Sequence, residues 1–242
     1  MKISKLEVCR SKSDLDHLSS GKVLINTINA HSFNMAQTDE FFSQALTHNE
    51  NVLIADGVSI VWALRLLTKL QVEKIAGADL FDFEMKKLNQ TGGVCFFLGS
   101  TDSTLKAIRE RAQKEYPNIE VKTYSPPYKK QFSAEDNQRM IEIINEVNPD
   151  LLWVGMTAPK QEKWAYENFS KLNVKGHIGC IGAVFDFYAG NINRAPNWMI
   201  NLGLEWFYRL INEPSRLWKR YLIGNTKFIW SVMNEFRTLN QN

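Results

Sequence analysis

Residues 176–236 read GHIGCIGAVFDFYAGNINRAPNWMINLGLEWFYRLINEPSRLWKRYLIGNTKFIWSVMNEF. The segment opens like a buried strand rich in glycine, passes an Arg-Ala-Pro turn at Arg194–Pro196, and ends in two helical stretches crowded with Trp and Arg. It decides the fold because the strand–helix alternation that precedes it stops here. Four of the seven tryptophans (Trp198, Trp206, Trp218, Trp230) fall in it. From position 198 onward six Lys and Arg face three acids, a surplus equal to the +3 charge of the whole chain, so the basicity is local. A turn of about 100° per residue from Arg216 puts Arg216, Lys219, Arg220 and Lys227 on one arc. Leu217, Trp218, Tyr221, Leu222, Phe228, Ile229, Val232 and Met233 fall opposite, with Ile223 and Trp230 as intruders and Gly224-Asn225 as a candidate stop. Such a helix suits an anionic membrane interface or a diphosphate held at one, and equally a terminal helix packed on its own domain.

Working outward, 242 residues with 44% apolar and 23% charged side chains suit one globular domain with an appendage. No apolar run approaches the roughly 18–20 residues of a membrane span, and MKISKLEVCRSKSDLD lacks the apolar core of a secretory signal. Three scattered cysteines (Cys9, Cys95, Cys180) form neither a disulfide framework nor a zinc motif. The expectation is a reduced, cytoplasmic protein whose membrane contact is peripheral.

Before residue 195 short apolar runs alternate with amphipathic stretches. Candidate strands are Val23–Ile28, Val52–Ala55, Val94–Leu98, Val121–Tyr124, Leu151–Gly155 and His177–Ile181. Candidate helices are Ala36–His48, Val58–Leu70, Ala78–Asn89, Ser103–Tyr116, Ala134–Val147 and Pro159–Leu172. This spacing predicts an α/β fold: a Rossmann-like, largely parallel sheet with helices on both faces, residues 1–195, followed by a helical appendage, 196–242. Ligands of such sheets bind at the carboxyl ends of the strands, beside helix N-termini that favour phosphate. Thr27 and Asn29 close the first strand, Asp56-Gly57 the second, Gly99-Ser100 the third, Tyr124 the fourth, and Gly155 the fifth, with Gln161 just beyond.

Asp56 follows four apolar residues, where a partly desolvated carboxylate serves as a general base, although Asp also caps helices. Thr27 and Asn29 face one side and can hydrogen-bond a sugar, or shape a turn. Gln161 falls in a first helical turn, near ligand. Asp186, between aromatics, is expected to be buried against backbone N–H groups or a base edge. The histidines lack metal spacing, the Asp-x-Asp pair in the chain (Asp14-Leu-Asp16) stands before the first candidate strand and not at the rim where it could clamp a metal, and dinucleotide and Walker glycine motifs are missing. Residues alone reach an α/β ligand-binding protein with a basic aromatic tail.

Thr27-Ile-Asn29, Ala55-Asp56-Gly57-Val58, Lys74-Ile-Ala-Gly77-Ala-Asp79, Phe97-Leu-Gly99 and Pro159-Lys-Gln161-Glu162 belong together with the run from Gly179 to Asp186, Arg194-Ala-Pro196, and Gly203-Leu-Glu-Trp206-Phe-Tyr-Arg209 through Glu213-Pro214-Ser-Arg216. This set, spanning about Val23 to Phe228, resembles the WecG/TagA/CpsF glycosyltransferases. The resemblance implies an inverting enzyme without metal or cofactor. Its donor is a UDP-sugar, N-acetylmannosamine or its uronic acid ahead of glucose or another hexose. Its acceptor is N-acetylglucosamine on a polyprenyl diphosphate at the inner face of the plasma membrane. A non-catalytic nucleotide-sugar-binding protein is the alternative; nucleic acid is not expected as a partner, and a homo-oligomer is compatible with the sequence.

Carried over by residue, the resemblance makes Asp56 the base, with Thr27 and Asn29 beside it. Gln161, Asp186, Gly99, Ser100, Tyr124 and Gly155 bind substrate. Lys74 and Arg194 also bind substrate, while Arg209, Arg216 and a third appendage cation, Arg220 or Lys219, hold diphosphate. Lys74 stands where many members carry Arg, and Tyr124-Ser-Pro-Pro-Tyr128 replaces a glycine-rich loop. A chain cut after about Arg194 is then expected to stay folded while losing activity on lipid acceptor.

Overall fold

The computed structural model describes residues 1–241, apart from the side chains of Asn197, Asn201 and Arg216. The six apolar runs become six parallel strands: β1 (Val23–Ile28), β2 (Val52–Ala55), β3 (Gly93–Gly99), β4 (Ile119–Tyr124), β5 (Leu151–Gly155) and β6 (His177–Cys180). Their order across the sheet is β2-β1-β6-β5-β3-β4. The chain therefore moves one way from β1 to β2 and the other way beyond β6, and it reverses again between β3 and β5. Both reversals open crevices at the carboxyl edge.

Helices cover both faces: α1 (Ala30–Ala36), α2 (Glu40–Thr47), α3 (Val58–Thr68), α4 (Gly77–Thr91), α5 (Asp102–Glu115), α6 (Ala134–Val147), α7 (Lys160–Asn168) and α8 (Ala183–Ala189). On one face Ile25, Phe97 and Trp153 of the sheet pack with Phe81 of α4, Ile108 of α5 and Phe185 of α8. On the other, Leu24, Leu98 and Leu152 meet α6 and α7, while Ile28 and Leu53 meet α1, α2 and α3. Close packing here needs glycine: a Cβ on Gly155 would lie 2.5 Å from the Phe185 ring.

Two helical expectations change. The single helix over Ala36–His48 is two, because Asn29 caps α1 by accepting from His31 N and Ser32 N (3.0 and 3.1 Å) and Asp39 starts α2 afresh by accepting from Phe42 N at 3.0 Å. The aromatic run after β6, on which the sequence placed no element, is α8, so Val184, Phe185 and Tyr188 turn inward while Asp186 and Phe187 stay half-exposed.

The tail comprises α9 (Asn197–Asn201), α10 (Glu205–Asn212), α11 (Pro214–Trp218) and α12 (Gly224–Asn240). Gly224 does not stop the helix. It is helical (φ −64°), and α11 runs into α12 through one π-type stretch, Lys219–Ile223. Among the described side chains of this rod a narrow stripe is buried: Leu217, Phe228 and Val232. Phe228 meets Phe33 edge to face, centroids 5.4 Å apart, and Asn34 donates to Gly224 O at 2.7 Å. Near the far end, Glu235 accepts from Ile3 N and Ser4 N, each at 2.9 Å. Packing thus crosses the 195/196 boundary. Elsewhere on the apolar arc Trp218, Leu222, Ile229 and Met233 are exposed, as are the two intruders Ile223 and Trp230.

At the amino edge of the sheet lies a buried ion pair. His177 Nδ1 is 2.8 Å from Glu84 Oε1, and its Nε2 is 2.8 Å from Ser19 O. Both ring nitrogens face acceptors, which suits an imidazolium. Burial alone would lower its pKa, but the hydrogen bond and charge of Glu84 outweigh that and raise it. A raised folded pKa means that this contribution is complete below the unfolded value, about 6.5, and is lost as pH climbs through the folded one. The expected result is a melting temperature that falls with rising pH above about 6.5, by a smaller slope in His177→Gln. Asp56 and Glu162, also raised, act in the same direction up to about pH 6 and about pH 7, so the two proteins are compared above that range, where an identical slope in the variant would remove His177 from this role.

Candidate active site

β2 is an edge strand that ends at Ala55, and the Asp56 amide extends its ladder by donating to Ile28 O at 2.8 Å. The register pairs Thr27 with Ile54 and Ile28 with Ala55. Thr27 and Asp56, two residues beyond Ile54, therefore project from the same face. The segment after α3 returns across this strand end: Ile75 N donates to Ala55 O at 3.0 Å, and Ile75 is fully buried. That anchor sets Lys74 beside Asp56.

Lys74 Nζ reaches Glu205 Oε2 at 3.0 Å, and Arg194 Nε lies 3.5 Å from Glu205 Oε1. Glu205 opens α10 and Arg194 precedes α9, so one carboxylate ties the tail to the rim. Arg209, one turn further along α10, places its guanidinium 5.6 Å from the centroid of Phe187. Burial pushes the Asp56 carboxyl up to about 6; Lys74 and Arg209 pull it down, while Glu205 and Asp79 add to the rise. A carboxylate tuned towards neutrality, with cations on two sides, is suited to taking a proton while negative charge develops nearby. A cavity of about 510 Å³ opens between α3 and α9, with Lys74 and Arg194 in its wall.

Other predicted residues fall into separate groups. The Asn29 side-chain oxygen is engaged in capping α1. Gln161 is buried, its Oε1 accepting from Met156 N and Gly182 N (both 3.1 Å) and its Nε2 donating to Glu162 at 2.8 Å. It clamps the loops that follow β5 and β6. Asp186 is half-exposed, not buried, because it lies on the outer side of α8, where it accepts from Asn191 Nδ2 at 3.3 Å.

Gly99, Ser100, Tyr124 and Gly155 gather at the second crevice, about 19 Å away by strand spacing. There Gly99 and Ser100 hold positive φ (122° and 56°), and Ser100 N donates to Gly155 O at 3.1 Å. Arg220 faces inward near the first turn of α1: burial, then the charge of Arg220, pushes His31 down to about 4. Lys219 is exposed over Trp218. The side chain of Arg216 lies outside the described residues.

Three acids in and around this rim escaped the sequence reading. Glu205 stood inside the Gly-Leu-Glu-Trp motif and Asp79 inside the Ala-Gly-Ala-Asp motif. Glu162 is almost fully buried, and burial raises it to about 7 against the hydrogen bond from Gln161. Adjacency to Gln161 was its only signal. Among the described residues no group of three His, Cys, Asp or Glu side chains is spaced to hold a metal ion.

The sequence profile described as the glycosyl transferase WecG/TagA/CpsF family matches residues 2–242. An N-acetylglucosaminyldiphosphoundecaprenol N-acetyl-beta-D-mannosaminyltransferase of Bacillus subtilis (strain 168) is 33% identical over 212 residues, covering 88% of this chain and 79% of that protein. Proteins of the same name from Bacillus spizizenii (strain ATCC 23059 / NRRL B-14472 / W23) and Staphylococcus aureus (strain MRSA252) are each 29% identical, over 194 and 211 residues. The first covers 80% of this chain and 72% of the relative; the second covers 87% and 78%.

Proposed function

Because the chain belongs to the WecG/TagA/CpsF glycosyltransferase family, we propose that it moves N-acetylmannosamine from a UDP donor to N-acetylglucosamine on undecaprenyl diphosphate, inverting the anomeric centre. The observation that carries this reading is the convergence of Asp56 with Lys74, Arg194, Glu205 and Arg209, drawn from both the rim and the tail. In the reaction the acceptor hydroxyl oxygen bonds to the sugar C1 as the bond from C1 to the diphosphate oxygen breaks. Asp56 takes the hydroxyl proton, and UDP leaves with the bonding pair. Lys74, Arg209 and helix N-termini stabilise the charge that develops on the departing diphosphate. Gln161 acts by holding the loops after β5 and β6, and the glycine-lined crevice at β3 and β5 receives the nucleotide end of the donor.

The exposed face of the tail supports work at a membrane surface. Trp198 (61% exposed) and Trp230 (67%) stand out with Leu222 and Ile229, beside exposed Lys219, Lys227 and Arg237. Aromatic and aliphatic groups edged by cations fit the headgroup layer of an anionic bilayer. No helix among the described residues is long and apolar enough to cross a membrane. The contact is peripheral, on the cytoplasmic face.

Incubating the chain with UDP-sugars and N-acetylglucosaminyl-diphosphoryl lipid, with products read by mass spectrometry, tests the proposal. The expected product is heavier than the acceptor by one N-acetylhexosamine residue and appears with UDP-N-acetylmannosamine. Transfer from UDP-glucose alone would overturn the donor assignment, and no transfer from any donor would overturn the activity.

A further inference from the structure

Glu162 lies buried beneath the loops that follow β5 and β6, and its two oxygens have unequal surroundings. Oε1 accepts from Gln161 Nε2 at 2.8 Å, while Oε2 has no hydrogen-bond partner among the described residues. A second buried acceptor in the same condition is Asn26 Oδ1 of β1. The Asn26 amide nitrogen donates to Ala45 O of α2 at 2.9 Å, which settles the orientation of that side chain. Both residues lie on the side of the sheet that α7 covers. Leu24, two residues before Asn26 and hence on its face, packs in one cluster with Trp164 and Ala165 of α7. β1 pairs Ile25 with Gly179 of β6, so Asn26 stands beside Cys180, one step further along both strands. Burial, and then the charge of Glu162, raise the Cys180 thiol, which brings Glu162 to the same strand position.

Two acceptors buried in one place repel unless one of them carries a proton, and each left unpaired costs free energy. We propose that Glu162 is a positioning residue that both donates and accepts: its O–H bonds Asn26 Oδ1 while its carbonyl oxygen holds Gln161. One proton then completes a chain from Ala45 O through Asn26, Glu162 and Gln161 to the amides of Met156 and Gly182. Gln161 Oε1 serves both amides, each at 3.1 Å, with Nε2 turned to Glu162, so the acid fixes which way that amide faces. The two loops touch, since a Cβ on Gly182 would lie 2.5 Å from Met156 O, and neither shifts without the other. The carboxyl is suited to keep its proton because burial raises it to about 7. Among the described residues, β1 and β6 bring Asn26 and the Cys180 thiol to it, and β5 adds no ionisable group. Lys163 and Asp39 pair with each other at the partly exposed start of α2, and Lys171, beyond α7, is exposed. The role rests on the proposed UDP donor, whose nucleotide end meets the loop after β5.

Full-length wild type is compared with Glu162→Gln, which keeps a donor and an acceptor in the same shape but cannot ionise, and with Glu162→Ala. Calorimetric titration with UDP is expected to find the Gln variant within about twofold of wild type and the Ala variant about tenfold weaker. In transfer assays the Ala variant should raise KM for the UDP-sugar and leave kcat nearly unchanged. Melting temperature against pH reads the proton itself. A carboxyl held up to about 7 makes stability fall as pH climbs from about 4.3, the ordinary Glu value, to about 7, and the fall should be shallower in Glu162→Gln. Equal slopes would overturn the proposed O–H bond. So would a Gln variant as weak for UDP as the Ala variant, because the negative charge would then be what matters. An Ala variant with wild-type affinity would remove Glu162 from positioning. Should the Ala variant fail to fold, the Gln variant and the slopes still decide. If the UDP differences and the slopes appear but wild type transfers no sugar, the positioning role stands and the catalytic reading fails.

Discussion

Asp56→Asn is expected to lower kcat by about 10²–10⁴-fold while leaving UDP affinity within a few-fold of wild type. The amide has the same size and keeps an oxygen towards the acceptor hydroxyl, but it cannot take the proton. Lys74, Arg194 and Arg209 remain, so the binding of phosphate survives. The pH profile of the wild type gives a second reading of the same group. Burial holds its carboxyl at about 6, so kcat/KM should fall as pH drops through that value. The direction follows from the role: protonation removes the base. Steady-state rates from pH 5 to 8 (a range that brackets the shift, about two units above an ordinary Asp) would show the limb in wild type. Unchanged turnover in the variant would take Asp56 out of the chemistry.

Ending the chain at Ala195 is expected to destroy the fold, not merely the activity. Phe228 and Val232 fill the space over α1 and α3, Leu217 is buried as well, and losing the burial of all three removes about 5–9 kcal/mol. That is comparable with the whole stability of an ordinary domain, about 5–15 kcal/mol. Phe33, its partner in the edge-to-face contact, would be uncovered at the same time. A gentler form of the experiment is Phe228→Ala, which should cost about 3–5 kcal/mol through lost transfer energy and a cavity beside Phe33. Urea unfolding followed by circular dichroism measures both. A truncated chain that melts cooperatively at the wild-type temperature would show the tail to be an accessory after all. The sequence alone suggested such an accessory, because a basic arc opposite an apolar arc looks the same whether a helix rests on lipid or on protein.

The sheet was legible for a simple reason. Parallel strands buried on both faces must be nearly continuous apolar runs, and Val23–Ile28 and Leu151–Gly155 are such runs with no competing helical period. Strand order was not legible, since the placement of β6 between β1 and β5 depends on contacts between residues more than a hundred positions apart. The aromatic neighbours of Asp186 suggested burial, but a seven-residue helix is too short to declare its period and turns the carboxylate to its outer side. At Asn29 the side-chain oxygen caps α1, the local use that the sequence offered beside the sugar contact. Asp56 was readable as a residue at a strand end, but what tunes it was not. Lys74 arrives through a backbone hydrogen bond of Ile75, and Glu205 comes from the other side of the chain. Such partners are set by tertiary placement, which no local window contains.

The clasp of Glu235 on the amides of Ile3 and Ser4 bears on how the molecule is made. A ribosome delivers the first turn some two hundred and thirty residues before the carboxylate that completes it. Until Glu235 has been made, those amides must be served by water, and the stripe of Phe33 and Val61 awaits its cover. α12 therefore covers that stripe and presents its own exposed greasy face in one event, so a nascent chain still lacking it should not seek the bilayer as a finished enzyme.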